Sequence, residues 1–218
     1  MKNLFAILSC LVLLYIVGCS SDTCKTLSEN EINELLAKVQ AAPLEDVAVN
    51  EVAVLETNYG TMVISFFPDI APEHSKAFKR LVKTGYYDCT RFHRIVQNFV
   101  IQGGDILTRD DDPNNDGSGG PGYTLPAEFS DMPHDKGVVS MARKGGDDNS
   151  AGSQFFICLS RAGTRALDGQ YTVFGKLVDG LDVLDKIAAV KTVPQRGSGE
   201  PSQPVEPVFI KKAYMKTR

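Results

Sequence analysis

The chain has no tryptophan, only three histidines and no apolar run long enough to cross a bilayer. His74, His93 and His134 stand far apart and no CxxC or HxxxH spacing occurs, so neither a metal site nor any other cofactor is expected. With 23 Lys and Arg against 27 Asp and Glu, the formal net charge is −4, which offers nucleic acid no basic footprint. The glycines at Gly119-Gly120-Pro121-Gly122 lack the Gly-Lys-Ser/Thr ending that a phosphate loop needs. There is no internal repeat, and no acid, base and nucleophile are gathered at a spacing that suggests hydrolysis.

What is present begins with an apolar run from Leu4 to Val17, preceded by Lys2 as its one charge, with the shape of a signal-peptide core. It ends Ile16-Val17-Gly18-Cys19, which resembles a bacterial lipobox. Residues 1–18 therefore read as a lipoprotein signal peptide and Cys19 as the lipidated residue, anchoring the chain to a membrane of the bacterial envelope, facing the periplasm. An ordinary secretory signal cut nearby is the alternative. Removing residues 1–18 takes away Lys2 alone and moves the formal charge from −4 to −5. Of the five cysteines, Cys10 is then lost and Cys19 acylated, leaving Cys24, Cys89 and Cys158, an odd remainder that cannot form a complete disulfide framework. Cys158 lies in an apolar stretch and is expected as a buried inert thiol, whereas Cys24 is expected to be exposed.

Residues 19–50 read as a tether holding one short helix. Ser28 and Glu31 match a capping box, and Ile32, Leu35, Leu36 and Val39 fall on one face. So short a helix needs a surface to lie on: its own domain, a second copy or the membrane. From Val52 the pattern turns to strands, with a hairpin at 52–67, further strands at 92–102, 137–142, 154–159 and 171–178, and a closing strand near 208–214. Pro72 opens a helix that ends near Gly85, and residues 179–188 form a second, followed by a Pro, Gly and Ser-rich loop at 194–207. This predicts an all-β barrel with two capping helices over residues 51–218. Asp112-Pro113-Asn114-Asn115-Asp116-Gly117 copies the first half of a calcium loop, but its twelfth place is Tyr123 rather than a bidentate Glu, so a solvated turn is expected and a calcium-dependent surface protein is not.

The stretch Phe92-His93-Arg94-Ile95-Val96-Gln97-Asn98-Phe99-Val100-Ile101-Gln102-Gly103-Gly104-Asp105 sets one permanently charged fork of donors among apolar side chains. Taken alone, Arg94 is as readily a structural ion pair as a catalyst. Gly152-Ser153-Gln154-Phe155-Phe156-Ile157-Cys158 follows Val138-Val139-Ser140-Met141-Ala142-Arg143, and Leu167-Asp168-Gly169 and Val173-Phe174-Gly175-Lys176 come later. In this order and spacing, from about Glu51 to Tyr214, these segments resemble the cyclophilin family of peptidyl-prolyl cis-trans isomerases.

That resemblance implies a closed eight-stranded antiparallel β-barrel and a proline-containing segment of an unfolded or folding protein as substrate. Arg94, Gln102 and Phe99 match the catalytic positions, with Phe92 and His93 beside them in the motif as substrate-binding residues. Phe99, Val100, Phe156 and Leu167 match the apolar pocket for the proline ring, and Gln102 and Gln154 the polar groups holding the substrate backbone. Ala142 and Arg143 match the strand that pairs with the peptide, and Tyr171 a position often occupied by His. Three departures stand out: Val100 replaces a methionine, Arg143 adds a charge beside the groove, and Ala166 stands where a tryptophan helps bind cyclosporin, so weak cyclosporin binding is expected. The rival class is a non-catalytic proline-peptide binding module or holdase, against which the retained Arg94 argues.

Overall fold

The computed structural model describes residues 24–195 and 197–218; the expected signal peptide and Cys19 lie outside them. In chain order the elements are α1 (Glu29–Ala41), β1 (Glu51–Thr57), β2 (Gly60–Phe66), α2 (Pro72–Thr84), β3 (Arg94–Val96), β4 (Val100–Gly103), β5 (Val138–Met141) and β6 (Phe155–Cys158). There follow α3 (Arg161–Thr164), β7 (Val173–Asp179), α4 (Leu181–Ala188), β8 (Thr192–Pro194), β9 (Pro201–Pro204) and β10 (Ile210–Thr217). Eight strands form one antiparallel sheet in the order β10-β1-β2-β7-β5-β6-β4-β3, and β8 with β9 forms a separate two-stranded sheet.

The expected closed ladder is not what the strand order shows. The sheet is a curled half-barrel with β10 and β3 at its edges. Between these edges run single hydrogen bonds from the segment before β3 to the segment at the start of β10: Phe92 N–H to the Val208 carbonyl at 2.8 Å and Cys89 N–H to the Ile210 carbonyl at 2.6 Å. The expected strand over 92–102 is also corrected. It is a hairpin, β3 and β4 paired through Arg94–Gln102, Ile95–Ile101 and Val96–Val100, and it turns at Gln97-Asn98-Phe99. Asn98 takes φ 60°, a left-handed conformation that asparagine tolerates better than most residues.

Period-two alternation gives the sheet two apolar faces. Ile95, Ile101, Val139, Phe155, Ile157 and Phe174 point into the half-barrel and pack with Phe78 and Leu81 of α2 and Leu184 and Ile187 of α4. Their neighbours Val100, Val138, Phe156, Cys158 and Val173 point outward and form a second cluster with Phe99, Ala142, Leu167 and Tyr171. All four residues of β6 are buried because both of its faces are covered. Burial pushes the Cys158 thiol up to about 12, so it is an inert group.

Residues 24–50 lie on the domain. The capping box of α1 forms as expected, with Ser28 Oγ accepting from Glu31 N–H. Ile32 and Val39 are buried in the main core, while Leu35 and Leu36 pack against it, each fully buried side chain contributing about 1.5–3 kcal/mol. Lys38 Nζ donates to the Thr84 carbonyl at 2.7 Å, satisfying the C-terminal end of α2. Cys24 is not a free thiol: it forms a disulfide with Cys89, 65 residues away, leaving Cys158 as the free cysteine among the described residues. The count of cysteines carries no information about which two meet.

Candidate active site

The outward face of β3, β4 and β6 carries the site. Because Arg94 pairs with Gln102 and Gln102 with Phe156, these three side chains emerge in a row on the side away from the main core. They border a cavity of about 260 Å³ whose apolar wall is Phe99, Val100, Phe156 and Leu167, and whose remaining edge is Ala142, Arg143 and Tyr171. The Arg94 guanidinium stands 5.7 Å from the centre of the Phe99 ring. Nη1 of Arg94 reaches Gln102 Oε1 at 3.4 Å, and Gln102 Nε2 donates to Gln154 Oε1 at 3.1 Å. Gln154 Nε2 in turn donates to the carbonyls of Gly117 and Gly119, both at 2.9 Å. A chain of polar groups thus runs from the cation to the glycine-rich loop.

Beside this cavity lies a larger, shallower groove of about 920 Å³ that shares Gln102, Ala142 and Arg143 with it and is otherwise walled by Gly117–Tyr123 and Gln154. Arg143 stands between the two. Its guanidinium stacks 4.7 Å from the Tyr171 ring centre, donates from Nε to the Gln170 carbonyl at 3.1 Å, and pairs with Asp148 at 3.2 Å. It is a fixed wall as much as a charge.

Phe92 and His93 are the two expected site residues that do not face either cavity. Phe92 is buried in the main core, its ring 6.0 Å from that of Phe155, and a Cβ on Gly103 would lie 2.9 Å from it. Phe92 lies two residues from Arg94, so alternation alone would set both on one face; residues 92 and 93 fall outside β3, and the chain there turns Phe92 into the core. His93 is buried beneath the loop at Gly117, with Nδ1 unpartnered, and burial lowers its pKa. Its neutral ring is a support for that loop.

Two further groups escaped sequence reasoning. His134, fully buried, stacks on Phe156 with ring centres 5.9 Å apart. It is held by Asp168 at 3.2 Å through Nδ1 and by Ser140 at 3.2 Å through Nε2. Asp168 is clamped by Arg161, whose hydrogen bonds hold its carboxyl well below the usual carboxylate range. The motif Leu167-Asp168-Gly169 marked this place without its purpose, which is to brace Phe156 and Leu167. The second group is Glu200, which receives Nε of Arg94 at 2.7 Å and Nη2 at 2.9 Å. Nothing local to Glu200 signals a partner 106 residues away.

The half-calcium loop satisfies itself, since Asp112 Oδ1 accepts from Asn114 N–H at 3.0 Å and Asp110 Oδ1 from Asp112 N–H at 2.8 Å. Among the described residues no group of three or more His, Cys, Asp or Glu could hold a metal ion.

Comparison with known proteins agrees with this geometry. Residues 52–215 match the family model described as cyclophilin type peptidyl-prolyl cis-trans isomerase/CLD. A probable peptidyl-prolyl cis-trans isomerase of Brucella abortus is 40% identical over 157 residues, 70% of this chain and 78% of that protein. A peptidyl-prolyl cis-trans isomerase of Synechococcus elongatus is 41% identical over 149 residues, 65% of this chain and 95% of that one. The crystal structure of a Cryptosporidium parvum cyclophilin type isomerase in the presence of the dipeptide Ala-Pro superposes with a TM-score of 0.65 at 31% identity, covering 77% of this chain and 99% of that one. A curled antiparallel sheet with a cation beside an aromatic-walled pocket on its outer face, and relatives of this kind over most of the length, lead to one conclusion: the chain belongs to the cyclophilin family of peptidyl-prolyl cis-trans isomerases.

Proposed function

We propose that this isomerase turns over X-Pro bonds through Arg94, in a domain displayed from a membrane of the bacterial envelope. The barrier of roughly 18–20 kcal/mol arises because the imide nitrogen shares its lone pair with the carbonyl. In the twisted state the pair is localised on nitrogen and accepts a hydrogen bond. Arg94 is permanently charged, has N–H groups to spare and stands over Phe99 at the mouth of the pocket, so it stabilises the twisted state more than either planar one. The proline ring enters between Phe99, Val100, Phe156 and Leu167 and stays fixed while the acyl side rotates. Gln102 and Gln154 hold the substrate backbone, and the peptide runs along Ala142 and Arg143 into the larger groove. The observation that carries this reading is the juxtaposition of a cation and an aromatic-walled cavity of about 260 Å³ on one sheet face.

Arg94→Ala is expected to lower kcat/KM by at least about tenfold, equivalent to roughly 1.4 kcal/mol, with a smaller loss of peptide affinity. Arg94→Lys should recover only part, because an ammonium lacks the planar fork. A folded Arg94→Ala protein that turns over like wild type would refute the assignment, and a wild type inactive on every X-Pro peptide would leave a proline-peptide binding module in its place.

The hydrogen bonds between residues 89–92 and 208–210 support a barrel closed at that seam, although no ladder joins its edges. The lipobox-like Ile16-Val17-Gly18-Cys19 supports anchoring through Cys19, and a role in folding exported or envelope proteins follows from that location. Metabolic labelling with palmitate should mark the wild type and not Cys19→Ala; an unlabelled wild type would sink the lipoprotein reading.

A further inference from the structure

We infer that Glu200 is a positioning residue for the isomerase reaction, gripping Arg94 along one edge so that the other edge is held toward the prolyl pocket; the inference rests on Arg94 being the catalytic donor. A guanidinium has five N–H groups. Glu200 takes Nε–H and one of the two on Nη2, at 2.7 and 2.9 Å, in a planar two-point contact. The Nη1 side is left toward Gln102, which it meets at a long 3.4 Å, and Gln102 borders the pocket. The carboxylate thus consumes the edge remote from Gln102 and leaves N–H groups for a substrate.

Glu200 is itself mounted. It enters β9, which lies against β3. Its carbonyl accepts from Gln195 N–H at 2.7 Å and Ser202 N–H at 2.8 Å, and its own N–H reaches Ser198 Oγ at 3.2 Å. Ser202 is fully buried and donates to Gln195 Oε1 at 3.2 Å. The connection between β8 and β9 turns through Gly197 and Gly199, both at positive φ. The hairpin therefore presents one carboxylate from a fixed base. Hydrogen bonds from Arg94 hold that carboxyl below its usual range, so it stays ionised at neutral pH.

A long, free arginine loses rotamer entropy when it is ordered. A guanidinium already ordered by Glu200 meets the twisted imide without that cost, and a donor fixed before the reaction needs no reorganisation during it. Neutralising part of the charge costs little here, because the acceptor is a neutral nitrogen whose demand is direction.

The test measures kcat and KM separately on X-Pro peptides for Glu200→Ala, Glu200→Gln, Glu200→Asp, Arg94→Ala and the Arg94→Ala/Glu200→Ala double variant, each checked for fold by melting temperature. Glu200→Ala should lower kcat roughly three- to tenfold with KM changed by less than about twofold, and Glu200→Gln, which keeps one neutral acceptor, should fall between. Glu200→Asp should restore part of the loss, and the double variant should be no slower than Arg94→Ala alone. Unchanged or faster turnover in Glu200→Ala, while Arg94→Ala is slow, would overturn the positioning role. Fast turnover in Arg94→Ala would instead refute the catalytic assignment beneath it. A fall in melting temperature without the kcat loss would mark Glu200 as a structural ion pair only.

Discussion

Position in this site is set by contacts at the scale of single residues, and Gly163 shows how indirect they are. Phe99, the aromatic wall nearest Arg94, sits on the turn at Gln97-Asn98-Phe99, and α3 is packed onto that turn through Gly163. A Cβ added there would lie 2.0 Å from the Asn98 carbonyl oxygen and 3.3 Å from Phe99 Cα, both backbone atoms that yield only if the turn moves. Gly163→Ala is therefore expected to shift Phe99 and lower kcat/KM by roughly tenfold, since small displacements of a positioning group cost that much or more. Steady-state kinetics on the folded variant checks this, and an unchanged kcat/KM would show that the turn can give way freely. The residues that build the pocket were legible because motif and chemistry coincide at Arg94, Gln102, Phe156 and Leu167. Phe92 was not, because its two-residue spacing from Arg94 reads as one strand face, whereas residues 92 and 93 lie outside β3 and the chain there turns Phe92 inward.

Between elements, the strongest tie unseen in the sequence is the disulfide from Cys24, ahead of α1, to Cys89, ahead of β3. Closing a loop of this separation in the unfolded chain removes entropy worth about 4 kcal/mol in the chain-entropy account, and native bridges in small domains commonly contribute 2–5 kcal/mol. The bridge also fixes α1, whose Gln40 lies against Gly122 of the groove wall. Cys24→Ser/Cys89→Ser, or reduction of the wild type, should lower stability by about 2–4 kcal/mol as read by denaturant unfolding. An unaltered midpoint would mean that burial of Ile32 and Val39 alone holds the segment down. The capping box of α1, and Pro72 and Gly85 at the ends of α2, were readable because helix ends are specified locally. The hairpin β8–β9 was not, since Pro194, Pro201 and Pro204 suppress the strand signal that its register carries. With it went the only route from sequence to the Arg94–Glu200 pair.

For the molecule as a whole, three histidines that look unremarkable along the chain become a common acid sensitivity once it folds. His74 lies in α2 with Glu128 on its Nδ1, His93 beneath the loop at Gly117, and His134 behind Phe156, and in each burial is the main reason the pKa is lowered. Each is thus neutral in the folded state at a pH where the unfolded chain, with a histidine pKa near 6.5, has begun to take up a proton. The unfolded state binds more protons, so stability present above about pH 6.5 is lost as pH falls toward the folded-state values, at no more than about 1.4 kcal/mol per pH unit for each histidine. Asp116, pushed up to about 6 by burial, acts in the opposite sense: the folded state keeps its proton longer, which offsets one histidine's share between about pH 4 and 6. The carboxylates held below their usual range, Glu51, Asp168 and Glu200 among them, lose their contribution only below about pH 4.5 and leave the upper window to the histidines. Melting temperature is therefore expected to fall by several degrees between pH 7.5 and 5.5, about 2–4 °C for each kcal/mol lost in a domain of this size. The fall should begin near pH 6.5, above the titration of every carboxylate but Asp116, whose opposing share leaves the three histidines in excess. Scanning calorimetry across that range provides the check, and a melting temperature that stays level or rises toward pH 5.5 would show that the buried imidazoles accept protons in place and that their partners, not burial, govern them.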